Sequence, residues 1–204
     1  MIGMIRPLVQ EAKTPWRWLG LLGIYALGAI GSALLLGLLL GMLGAALIPG
    51  NRSWLVLIGV ALLGLLMAAG DFQIGGLRTC TLRRQTRRIW WDVFGPGGAM
   101  LLWGLDLGLG FTTIRVASLY WVVACVVIAL ASPQIGALVL GAYGLAIVLN
   151  LGASLLLLKE EESGGSAIRA VQWQAPVKTC LAVILLIWSI LLLILSIKEG
   201  FYGL

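Results

Sequence analysis

Residues 99–131 read AMLLWGLDLGLGFTTIRVASLYWVVACVVIALA. The 33 residues are apolar except for two charged side chains, Asp106 and Arg115, and a few hydroxyls. At about 1.5 Å per residue a straight helix of this length would extend ~50 Å, well beyond a hydrocarbon core of ~30 Å. Two readings follow. The run is either two spans that turn near Gly110 to Thr113, or one long, broken helix. Placing a charge at mid-bilayer costs at least ~2.5–3.5 kcal/mol, so Asp106 and Arg115 each call for a partner or an interface. Nine positions apart, they point to opposite faces of a continuous helix, since nine steps of ~100° make about 900°. They meet each other only if the helix unwinds between them, and Gly108-Leu109-Gly110 is the place for that. Otherwise Arg115 snorkels outward along the bundle. Thr112 and Thr113 follow the glycines, and Asn150 lies in the next apolar run, so these three join Asp106 and Arg115 as polar intramembrane candidates.

Outward from this stretch the chain repeats the same composition. Apolar runs cover 18–48, 54–70, 135–158 and 177–197. The first ends at Pro49-Gly50 and carries Gly37 and Gly41 at the spacing that brings a neighbouring membrane helix close. The short turn that follows makes the first two spans an antiparallel hairpin. Residues 71–98 form the longest polar stretch. On a helical wheel Leu82, Thr86, Ile89, Trp90 and Val93 share one face, and Arg83, Arg84, Arg87 and Arg88 the other. That pattern suits an in-plane amphipathic helix with arginines toward anionic lipid or a partner and Trp90 at the boundary. Gly95-Pro96-Gly97-Gly98 is expected to end it. A loop is expected from Lys159 to Ala175, with Glu160, Glu161 and Glu162 and a Gly164-Gly165 pair.

The whole chain supports this picture. Of 204 residues 61% are hydrophobic and 11% charged, and mean hydropathy is +1.06. A soluble domain carries roughly 25% charged residues. The expectation is an all-α, polytopic transmembrane bundle forming a single domain over 1–204, with no soluble domain beside it and an uncleaved first span as anchor. Lysines and arginines concentrate on cytoplasmic flanks. With five spans and a cytoplasmic N-terminus, eleven of the fourteen basic residues face inward. With six, Lys159, Arg169 and Lys178 would fall outside, so five spans in the cell (inner) membrane fit better.

The chemistry available is narrow. The sequence contains no histidine, which excludes His-ligated haem, pigment or zinc and Ser/His or Cys/His catalysis by this chain alone. Cys80, Cys125 and Cys180 form no CxxC pair. Cys125 reads as a small buried hydrophobe, while Cys80 lies among arginines that would favour its thiolate. No acid pair converges in the apolar runs, and the basic strip lacks any nucleic-acid motif. Neither an enzyme, a cofactor nor a nucleic-acid partner is expected.

The stretch Trp103-Gly104-Leu105-Asp106-Leu107-Gly108-Leu109-Gly110-Phe111-Thr112-Thr113, after a basic loop, resembles the start of the second half of the cytochrome c biogenesis and disulfide-interchange membrane proteins (CcdA type). The likeness covers about the C-terminal half, from Ala99 to Ile197. It implies a Gly-rich discontinuous helix entering from the cytoplasmic side and followed by two spans. The family carries a Pro-Cys pair near the break. Here Phe111-Thr112-Thr113 stands there, so the resemblance implies the scaffold and not the thiol chemistry. Three functions remain, in order of preference. They are a non-catalytic membrane subunit, scaffold or assembly factor joining other membrane subunits or copies of itself; a small transporter using the break around Asp106 and Arg115; and a thiol-redox relay.

Overall fold

A computed structural model describes residues 15–48, 53–76, 89–110, 118–159 and 166–202. Among the described residues every regular element is helical. In chain order these are α1 (Pro15–Leu47), α2 (Ser53–Asp71), a 3₁₀ turn η1 (Ile74–Gly76), α3 (Ile89–Leu109), α4 (Leu119–Leu130), α5 (Pro133–Lys159) and α6 (Ser166–Tyr202). Among the described residues four stretches are long and apolar enough to cross a membrane: Trp16–Leu47, Trp54–Asp71, Pro133–Ala153 and Pro176–Lys198. Helices are the expected product, because a bilayer core supplies no partner for an open backbone N–H or C=O.

The helix boundaries depart from the sequence reading in two places, the polar stretch 71–98 and the loop 159–175. The expected polar stretch 71–98 is divided: Asp71 closes α2, and 89–98 open α3. Gly95-Pro96 kinks α3 without ending it. Gly95 takes φ 68°, ψ 179°, a conformation in which glycine avoids the clash a Cβ would meet, and Pro96 then starts a new helical stretch with its ring preset for the first turn. The expected loop 159–175 is largely helical, α5 running to Lys159 and α6 starting at Ser166 with Pro176 inside it. The third apolar run is carried by two helices. α3 stops at Leu109, Gly110 has φ 73°, and α4 begins at Leu119. Residues 111–117 between them, and 77–88 with the four arginines, lie outside the described residues.

The chain forms two compact units. One holds α1 as far as Leu36, α3, and α5 from Leu138. Its core joins Leu21, Tyr25 and Ala29 of α1 to Met100, Trp103 and Leu107 of α3 and Val148 and Leu151 of α5. The helices meet backbone to backbone. A methyl on Gly104 would strike the Tyr25 carbonyl and the Ala29 amide, and one on Gly28 would strike the Leu101 carbonyl. Gly108 sits against Ala29 and Ser32, and Gly144 of α5 against Ala29 and Ala33. Trp91, before the kink, stacks on Trp103 after it, ring centroids 5.5 Å apart and planes 21° off parallel.

The other unit holds α1 from Gly37, α2, η1, α4, the start of α5, and α6 from Gln172. Val60 and Ala68 of α2, Val122 and Ala129 of α4 and Leu185 of α6 form its core. Gly37 and Gly41 do hold a close neighbour. A Cβ at Gly37 would meet the Gly136 carbonyl, and one at Gly41 the Ser132 carbonyl and Pro133. The small-residue spacing lets α1 lie directly on the α4–α5 corner, where Ala131 closes α4 in a left-handed conformation, φ 51°.

Gly104→Ala should destabilise the protein by about 1–3 kcal/mol, because backbone bounds the contact on the far side and cannot rotate away. Gly20→Ala, into open space, should be neutral or slightly stabilising. Unfolding in mixed micelles followed by circular dichroism separates the two. Tyr25 is 1% exposed, and its hydroxyl has no hydrogen-bond partner among the described residues. Tyr25→Phe is therefore expected to hold or raise stability, by up to ~1 kcal/mol, in the same assay.

Candidate functional site

A helix that starts among apolar side chains has amides to satisfy in its first turn. α4 solves this with a residue 47 positions away. The carboxylate of Asp71, the last residue of α2, accepts from the Ser118 N–H at Oδ2, 2.8 Å, and from the Ser118 hydroxyl at Oδ1, 3.0 Å. Both residues are buried, Asp71 at 5% and Ser118 at 0% exposure. The Ser118 carbonyl in turn accepts from the Trp121 N–H at 3.0 Å, starting the helix. A carboxylate is well placed there, since the N-terminal end of a helix carries partial positive charge and charge-assisted bonds of this kind are the stronger ones. α2 and α4 are thus joined both by their apolar faces and at one end by a two-pronged polar clamp.

Sequence reasoning missed this pair. Asp71 reads as the first residue of a polar loop. Ser118 ahead of Leu119-Tyr120-Trp121-Val122 does carry an N-cap signal, but nothing in the sequence points to its acceptor.

The sequence-predicted residues are placed as follows. Asp106 lies on α3, half-buried at the margin of the face formed by Trp103, Gly104, Leu107 and Gly108, three residues before the helix stops. Asn150 is exposed on α5. Neither is without a partner. Trp90 is half-buried and packs on the core that contains Tyr25 and Trp103. Arg115, Thr112, Thr113, Arg83, Arg84, Arg87 and Arg88 lie outside the described residues.

The other buried serines are turned back on their own helices. Ser32 donates to the Ala29 carbonyl at 3.3 Å, Ser189 to Leu185 at 2.8 Å and Ser196 to Leu192 at 2.7 Å. Among the described residues no three Cys, Asp or Glu side chains gather as a metal site would require. Cys125 is half-buried on α4 and Cys180 exposed on α6, both as free thiols. A shallow groove of ≈ 280 Å³ on α1, lined by Gly23, Ala26, Leu27, Ile30, Gly31 and Leu34, is apolar almost throughout. Comparison with protein-family models, with curated proteins and with solved structures finds no match for this chain.

Asp71→Ala removes both acceptors and leaves the Ser118 N–H buried and bare. The expected loss is about 2–3 kcal/mol. Ser118→Ala keeps the amide bond and should cost only about 1 kcal/mol. A double-mutant cycle on the two, read from unfolding in micelles, should return a coupling close to the value of the hydroxyl bond alone.

Proposed function

We propose that the chain is a non-catalytic integral membrane subunit, a scaffold or assembly factor that holds other membrane subunits or further copies of itself. In this reading it crosses the cell (inner) membrane five times from a cytoplasmic N-terminus, α3 and α4 together forming one interrupted crossing. α4 alone, with 12 residues, would extend only ~18 Å and cannot reach across a ~30 Å core.

The observation that carries this reading is the use made of the buried polar groups. Asp71 and Ser118 bind each other, and Ser32, Ser189 and Ser196 bind their own helices. These groups serve the architecture of the bundle. The helices meanwhile turn large apolar surfaces outward, most of all α6, where Ile184, Ile187, Trp188, Leu191, Ile194 and Leu195 are exposed. Such surfaces suit lipid and neighbouring membrane helices alike.

A second reading, a small transporter, is favoured by one specific feature. α3 ends at Leu109 beside a left-handed Gly110, and Asp106 sits half-buried in its last turn. A helix end next to a carboxylate inside a membrane is the arrangement transporters use to hold ions. The thiol relay has the least behind it, since Cys125 and Cys180 are both unpaired thiols.

Affinity purification after gentle solubilisation tests the first reading. It should recover other membrane proteins, or a defined homo-oligomer, in fixed stoichiometry. A stable, isolated monomer would refute it. In proteoliposomes the transporter reading requires flux that Asp106→Asn abolishes. The scaffold reading requires no flux that depends on this side chain. A cysteine-free variant that keeps full activity in the cell eliminates the relay. A reporter fused at Gly164 should lie on the cytoplasmic side; an external signal would remove the five-span layout.

A further inference from the structure

We draw no further inference here: the strongest candidate, the shallow apolar groove on α1 where Gly23 and Gly31 face open space beside Leu27 and Leu34, is a small-residue stripe on an unpartnered helix face, and nothing in the structure shows what covers it.

Discussion

Backbone laid directly on backbone is the constraint from which the rest of the packing follows. α1 is met by Gly104, Gly108 and Gly144 in one unit and by Gly136 in the other, and its own Gly28, Gly37 and Gly41 face carbonyls. Lipid tails are as apolar as leucine, so burying leucine between helices gains little over leaving it in the bilayer. Association must come from van der Waals contact at short range and from polar bonds. Glycine permits the first by removing the Cβ that would hold the helices apart. The leucines accordingly turn outward, and Leu27, Leu35, Leu39 and Leu43 line the exposed side of α1.

Polar groups are handled under the same constraint. A helix end within apolar surroundings is stable only if its open amides find a partner, and α4 finds one in a carboxylate carried by α2. The clamp has a double effect. It gives the amide and hydroxyl of Ser118 an acceptor at the start of a helix too short to be stable alone, and it removes the one charge that α2 would otherwise present to lipid. The serines of α1 and α6 solve a smaller problem by bonding carbonyls of their own preceding turn. Aromatic stacking secures the first unit at its bend, where Trp91 on Trp103 folds the short N-terminal piece of α3 back along the helix across the Gly95 kink.

The proposed scaffold role takes these features as chemistry spent on the protein's own assembly. A scaffold needs persistent shape and outward apolar surface. A transporter needs polar groups that can let go of one partner for another. Asp71 is doubly bonded and buried, which suits the first role. Asp106, half-buried at the end of α3, is the residue on which the second depends.

The all-helical architecture, the membrane environment and the close approach at Gly37 and Gly41 were legible from residue order, because hydropathy and small-residue spacing are local properties summed along one helix. The interruption of the third apolar run was legible in part, since its length exceeds a bilayer core and its glycines mark where a helix weakens. The role of Asp71 was not legible, and neither was the survival of α3 across Gly95-Pro96. A carboxylate after an apolar run looks the same in sequence whether it meets water or an amide 47 positions on, and Gly-Pro looks the same whether the chain breaks or bends. Those outcomes depend on which surfaces lie opposite one another once the helices pack, and that is decided by three-dimensional contact between segments that are strangers along the chain.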